Sequence, residues 1–465
     1  MRKIKQVHFI GIGGVGMSAI AEVLHREGYT ITGTDAQGNG NTKRLQALGL
    51  TIEIGHTSQL GLASDVVVIS TAIQPDNPEY VAMQAAEIPI MRRAEMLAEL
   101  MRLRKGIAIA GTHGKTTTTG LTAALLSAGG LSPTYVIGGI LNSAGSNAKL
   151  GNGEYLVAEA DESDASFLHL VPTIAAVTNI EPEHMSTYDG DFSRLKQTFL
   201  DFLLRLPLDG LAVLCHDDEH IRSLLPQIAR PLVTYGFDEA ADVRAVNFVQ
   251  LGTMSHFDVR AQDRTPFAVQ LNLPGKHNVS NALAAIAIAL HAGVSETVIQ
   301  HALQSFEGVG RRFQQVETCI DNMPVTLIDD YGHHPTEVRV TLETIRAVWP
   351  DRRLLLVFQP HRFTRTEDCF DDFVEVLSRV DGLVLLDVHP AGEAHNPHAD
   401  SHALARAIRQ RGTVEPIVVS NTDELPSVLS RQLKTDDVLL MQGAGSIARL
   451  VQQFIVHNEK RPTTN

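Results

Sequence analysis

The chain alternates short apolar runs with stretches of helical spacing over most of its length. Gln6–Ile10, Tyr29–Thr34 and Asp65–Thr71 read as strands, and 93–104 as a helix. A further run, Ile107–Ala110, enters a glycine-bracketed turn. A helix then runs from Lys115 to Ala128, where Gly129-Gly130 stops it. Strands at Tyr155–Glu159 and Thr173–Val177 follow. From Asp201 to about Gln270 the signals weaken and carry no readable motif. A turn at Gly275 launches a small-residue apolar helix, and the pattern breaks near Val309-Gly310-Arg311-Arg312-Phe313. It restarts as strand-then-helix units with strands at Val325–Asp329, Leu354–Phe358, Leu383–Leu386, Ile417–Ser420 and Val438–Met441. Strands alternating with helices predict an α/β fold with parallel sheets, and the breaks predict units at 1–104, 105–310 and 311–465.

Length and composition narrow the function. With 465 residues, 44% hydrophobic and 20% charged, the chain has material for several domains with real cores. A formal charge of −14 argues against a general nucleic-acid or membrane-surface binder, each of which needs a dominant positive field. Anionic substrates must therefore meet local lysines, arginines and helix N-termini. Cys215, Cys319 and Cys369 are far apart, without metal-ligand spacing, and read as reduced residues of a cytoplasmic protein. No apolar run approaches a membrane span, and His8 with the glycines after it breaks any signal-peptide pattern.

The chemistry concentrates at strand ends. Gly111-Thr112-His113-Gly114-Lys115-Thr116-Thr117 is a shortened phosphate loop, since Ile109 stands where the usual pattern has its first glycine. Backbone N–H groups from Gly111 to Gly114 and the helix N-terminus predict an anion cradle, with Lys115 reaching terminal phosphates and the Thr116 hydroxyl placed for magnesium. Earlier, Gly11, Gly13 and Gly16 fit G-x-G-x-x-G, with Gly14 between them and Asp35 ending the next strand. That predicts a Rossmann-like diphosphate turn. Ser70 and Thr71 are ligand-edge hydroxyls or plain turn residues. Glu159, Asp161, Glu162 and Asp164, with Ser163 among them, crowd one strand end, and Glu181, Glu183 and His184 follow the next. Acids and a histidine beside a phosphate loop suit a magnesium–nucleotide site. Asn278 and Asn281 share a helix face and suit a nucleobase edge, though Asn278 could also cap the helix. In the last third, Asp330-Tyr331-Gly-His333-His334, His361-Arg362-Phe-Thr-Arg365 and Asp387-Val-His389 predict a polar crescent on one sheet edge. Zinc is disfavoured there, because His333 and His334 would point apart in a strand.

Taken together, GIGGVGMSAIAE, GTHGKTTTT, VAEADESDASF, NIEPEHM, GKHNVSNALAA, GRRF, DDYGHHPTE and QPHRFTRT resemble the Mur ligase family, in that family's order and from about Lys5 to Arg449. The similarity is greatest to its alanine-adding branch. It implies three α/β domains: a Rossmann-like N-terminal domain for the UDP-sugar, a central P-loop ATPase-type parallel-sheet domain, and a Rossmann-like C-terminal domain for ATP and the amino acid. The implied reaction joins L-alanine to the carboxylate of UDP-N-acetylmuramate, using ATP and Mg2+, in peptidoglycan precursor synthesis. The resemblance assigns Gly111 to Thr117 to the ATP phosphates, and Thr116, Glu159 and His184 to magnesium. It assigns His277, Asn278 and Asn281 to the adenine region, and Arg312 and Asp330 to the nucleotide's phosphates and ribose. Tyr331, His333, His361, Arg362 and Arg365 fall to alanine; Ser163 joins the N-terminal turn residues in the substrate set. Sister ligases carry a carbamylated lysine where ungapped counting puts Phe199. No base for the alanine amine is identified beyond His333 and Asp330, by position only. A peptide-recycling ligase of the same family is the nearest alternative. A nicotinamide-dependent dehydrogenase is more distant, because it leaves the Lys115 loop idle.

Overall fold

The computed structural model describes residues 4–56, 59–70 and 72–459. Its strands form three sheets of five, ten and six strands. The first is parallel throughout, in the order Thr51–Ile54, Thr30–Asp35, Gln6–Ile10, Val66–Ile69, Ile90–Arg92. The chain winds outward from Gln6–Ile10 in one direction and then in the other, which opens a crevice at the carboxyl edge beside that strand. Alternation along the strand decides its two faces. Val7 and Phe9 join the large core with Ile20 and Leu24, while Ile10 packs with Val67 and Met83. His8 lies on the second face and is fully buried, with Nε2 2.9 Å from the Glu79 carboxylate and Nδ1 2.7 Å from the Thr32 hydroxyl.

The second sheet is built around Lys105–Ala110, which lies between Tyr155–Glu159 and Ile174–Val177, parallel to both. Such a strand is covered on both faces and so reads as a continuous apolar run. Helix Lys115–Ala128 follows it with the bounds expected from the sequence, while the strand begins two residues before the expected Ile107 and ends, as expected, at Ala110. The weakly patterned region opens on the end of helix Phe192–Leu204 and holds strands Leu211–Cys215 and Leu232–Gly236 and the outer strands Val243–Leu251, Met254–Ala261 and Phe267–Leu271. The outer strands alternate buried with exposed or half-buried positions, so one face is solvated.

The third sheet runs Gln314–Ile320, Met323–Asp330, Val438–Gln442, Leu354–Phe358, Gly382–Leu386, Pro416–Val419 and has a core on each face. Only its first pair is antiparallel. The chain divides into two compact units, one holding the first two sheets and the other the third. Among the described residues no helix is long and apolar enough to cross a membrane.

Candidate active site

Strand order brings the phosphate loop and both acidic strand ends to one edge, because the strand that feeds the loop is flanked by those ending at Glu159 and Val177. Segment Thr178–Glu181 then clamps the loop. Thr112 and His113 donate their N–H groups to the backbone and side-chain oxygens of Asn179, at 3.1 and 2.8 Å. The Thr178 hydroxyl donates to the His113 carbonyl at 2.6 Å, and Glu181 N–H donates to the Thr112 hydroxyl at 2.9 Å. The expected cradle is thereby corrected. Two of its amides, at Thr112 and His113, serve the scaffold, while the head of the helix that begins at Lys115 has no side-chain cap. Gly111 (φ +130°) and Gly114 (φ +82°) permit the turn; a Cβ on Gly111 would sit 2.0 Å from the Thr178 hydroxyl.

Lys115 folds back onto its own loop. Its Nζ lies 2.5 Å from the Gly111 carbonyl, 3.0 Å from that of Thr112, and 2.9 and 2.8 Å from the two carboxylate oxygens of Glu162. Burial opposes the charge, but Glu162, Asp161 and Glu159 hold the ammonium above the usual lysine range. Glu162 is itself buried, which pushes its carboxyl up to about 7 against the opposing pull of Lys115, and its carbonyl accepts from the Tyr188 phenol. The Thr116 hydroxyl donates to the Glu159 carboxylate at 3.3 Å, and Gly138 N–H donates to the other Glu159 oxygen. A hydroxyl and a carboxylate so paired are the hard oxygen donors that magnesium takes. His184 lies in the following loop with φ +56°, its Nε2 3.6 Å from the Glu183 carboxylate. Ser163 donates its N–H to Asp161 and its carbonyl accepts from Thr187. Phe199 is fully buried, edge-on to Phe167 at 5.2 Å.

Helix Lys276–His291 backs the loop. Asn278 is inside the helix, so the capping reading is corrected. Asn281 donates to the Asn278 side-chain oxygen at 3.3 Å and accepts from the Thr118 hydroxyl at 3.2 Å. Its oxygen lies 2.4 Å from where a Gly114 Cβ would stand, so Asn281 fixes the glycine that opens the helix. Burial pushes the His277 imidazole down to about 4, leaving it neutral.

The N-terminal turn is built differently. Gly13 donates its N–H to Asp35 at 2.8 Å, and Asn39 and Asn41 donate to the Gly13 carbonyl at 3.2 and 2.9 Å. Asp35 is thus part of the turn's wall. Gly14 opens helix Val15–Arg26 without a side-chain cap, and Gly11 has φ +82°. Ser70 packs against Gly11; Thr71 lies outside the described residues. Arg93, which begins helix Arg93–Arg102, places its guanidinium over Gly16 and its Nη2 3.4 Å from the Asp161 carboxylate. Only the folded chain brings these three residues together, and nothing in their spacing signals it.

In the third-sheet unit, Asp330 is buried and accepts from Phe313 N–H at 2.9 Å, Gly332 N–H at 2.8 Å and Gln442 Nε2 at 2.7 Å. These three bonds make the carboxylate the brace of its turn. Arg311 pairs with Asp329 at 3.1 Å, and Arg312 reaches Glu337 at 3.9 Å; both guanidinium groups lie over the Tyr331 ring, 5.3 and 4.9 Å from its centre. His333 and His334 do not lie in a strand, because the strand ends at Asp330 and His334 caps helix Pro335–Val348. His333, His361 and His389 form a column of rings spaced 5.9 and 5.4 Å. Burial, with His333, Arg365, His389 and Arg362 nearby, drives His361 down to about 3. Arg365 Nη1 lies 3.3 Å from His361 Nδ1 and donates to its carbonyl at 3.2 Å. Arg362 is exposed at φ +70°, a backbone conformation that costs a non-glycine residue free energy.

Comparison with known proteins matches three family models in sequence: the Mur ligase family catalytic domain over residues 6–105, the Mur ligase middle domain over 109–289, and the Mur ligase glutamate ligase domain over 311–445. A UDP-N-acetylmuramate–L-alanine ligase of Methylococcus capsulatus is 55% identical over 456 residues, 98% of this chain and 96% of that protein. The crystal structure of a UDP-N-acetylmuramate–alanine ligase of Thermotoga maritima matches with TM-score 0.82 and 29% identity, covering 98% of this chain and 99% of that one. A murein peptide ligase of Psychrobacter arcticus shares the fold at TM-score 0.73 and 24% identity, covering 99% of this chain and 100% of that one.

Proposed function

This chain belongs to the Mur ligase family, and from that premise we propose that it joins L-alanine to the carboxylate of UDP-N-acetylmuramate at the expense of ATP, in the cytoplasm, as a step of peptidoglycan precursor synthesis. The observation that carries the reading is the Lys115 loop set beside Thr116 and Glu159, since a dehydrogenase has no use for it. The 55% identity to an alanine-adding relative over nearly the whole chain favours alanine over a peptide.

In this reading the three sheets divide the work, with boundaries near 104 and 310. The Gly11–Gly16 turn takes the UDP diphosphate, the second sheet takes the ATP phosphates, and the third takes alanine and the rest of the nucleotide. The muramyl carboxylate attacks the γ-phosphorus, ADP leaves, and the alanine amine displaces phosphate from the acyl phosphate. Lys115 and the amides at the head of its helix stabilise charge on the transferring phosphoryl group, and positioning of the reactants supplies much of the remainder. Thr116, Glu159 and His184 would hold Mg2+, which when bound adds further neutralisation of the phosphate charge. Arg362 or Arg365 engages the alanine carboxylate. His361, with a pKa of about 3, is too weak a base for an ammonium group and serves as a neutral hydrogen-bonding wall. The test is phosphate release with ATP, magnesium and UDP-N-acetylmuramate, comparing L-alanine, glycine, L-serine and a tripeptide. Turnover with the tripeptide in place of L-alanine would move the chain to the peptide-recycling branch.

A further inference from the structure

Lys115 is expected to meet a terminal phosphate, yet here its ammonium already has anionic company. Both Glu162 oxygens lie within 3 Å of Nζ, and two loop carbonyls complete its shell. An ammonium has only three N–H donors to distribute, so a phosphate oxygen arriving at Nζ must take a donor from one of these acceptors. The carboxylate is the group that can yield. The carbonyls of Gly111 and Thr112 are fixed by a loop clamped on Asn179, whereas the Glu162 carboxylate ends a side chain with rotatable bonds. Glu162 is also held in place from behind: its carbonyl accepts from Tyr188, and the residue is 2% exposed.

We infer that Glu162 is the positioning residue of Lys115: its carboxylate stands in for the terminal phosphate before nucleotide binds, keeps the ammonium aimed across the loop, and gives way to the phosphate on binding. The inference rests on the ATP-dependent ligase reading and adds to it a residue outside the phosphate and metal sets. A carboxylate and a phosphate oxygen are alike to an ammonium as charge-assisted acceptors, so the exchange keeps Lys115 paired throughout and avoids a bare buried cation.

The consequence is a pair of effects with opposite signs. Glu162→Gln keeps the shape but removes the competing charge, so Mg-ATP should bind about threefold tighter or more, and ADP should gain less. The lysine is then poorly aligned, and kcat should fall about tenfold. Without nucleotide the variant should melt below the wild type, because a buried ammonium has lost its counter-charge; saturating Mg-ATP should close the gap. Glu162→Asp restores the charge and should recover part of kcat. Calorimetric titration of wild type and both variants with Mg-ATP, ADP and UDP-N-acetylmuramate, with steady-state rates, reads all of this. UDP-sugar affinity serves as the control for folding. ATP affinity that is unchanged or weaker in a Glu162→Gln variant that still binds UDP-sugar overturns the inference, since a merely structural glutamate could only weaken the loop. If the glutamine variant does not fold, the aspartate variant decides: its shorter side chain should hold Lys115 less well, so a wild-type kcat in Glu162→Asp overturns the inference. A wild type that fails to bind ATP overturns the ligase reading itself, a result separable from both.

Discussion

The two glycine turns of the first unit share a local plan and differ in what surrounds it. Each leaves an apolar strand, passes a left-handed glycine (Gly11 or Gly111) and opens a helix without a side-chain cap. At Gly13 the turn's amide goes to Asp35, and the nearby cation is Arg93, far along the chain. At Gly114 the next residue is Lys115, and carboxylates from the neighbouring strand end face it. Helix heads attract anions in both places. If the first turn holds a diphosphate that stays intact and the second a phosphoryl group that is transferred, the difference lies in the charge that surrounds each. The glycine spacing alone carries no such information.

The largest expected effect comes from removing the lysine that faces those carboxylates. Lys115→Ala should lower amide formation by at least about a hundredfold, or about 2.7 kcal/mol of barrier, while UDP-sugar binding stays within about twofold. Near-wild-type turnover in a folded Lys115→Ala protein would erase the distinction between the turns.

Glycine substitutions probe each turn separately and should cost less. Gly111→Ala combines a disallowed φ with a Cβ 2.0 Å from the Thr178 hydroxyl, so it should cost about 2 kcal/mol of stability and most of the ATP affinity. Gly13→Val drives a branched side chain into Asn39 and Asp35, at 2.6 and 2.8 Å from its Cβ. It should weaken UDP-sugar binding about tenfold and spare ATP. Gly14→Ala, whose Cβ would meet nothing closer than 3.6 Å, should do little to either. Titration of each variant with both nucleotides separates these results. Loss of ATP binding in Gly13→Val would mean that the turns are not independent.

The parts legible in the sequence were those whose signal is local. Helix Lys115–Ala128 kept both expected ends because two glycines stop it, and the apolar run Ile107–Ala110 marked a doubly covered strand whose start at Lys105 the polar residue hid. Val243–Leu251 and Met254–Ala261 escaped notice because strands with one solvated face spread their apolar residues among polar ones. Glu162 looked like one acid among four, and its burial against Lys115 is a product of packing. Asn179 was legible only as a neighbour of Glu181, since the bonds that clamp the loop join strands distant in sequence. His334 was misplaced by extending a strand past Asp330, where the chain instead turns into a helix cap.

The smallest effect expected lies away from both turns and serves as their control. Arg362 caps, and Arg365 lies within, the short helix Phe363–Asp368 that follows strand Leu354–Phe358, and Arg365 is braced on His361 through its Nη1. A neutral His361 lets Nδ1 accept that bond, so Arg365 is anchored beside the histidine column. Arg362 is exposed and held in a strained conformation, with its N–H donated to the His389 carbonyl at 2.9 Å, so the fold fixes where its side chain departs. If this pair receives alanine, Arg362→Ala or Arg365→Ala should raise the KM for alanine about tenfold, about 1.4 kcal/mol, and leave the KM values for ATP and UDP-sugar nearly unchanged. Lysine at the same position should recover less than half of the lost free energy, because a point charge cannot reproduce a planar fork. Steady-state titration of all three substrates decides it: an unchanged alanine KM in both variants removes the pair from the site, and a matching rise in the KM for ATP would assign it to the nucleotide instead.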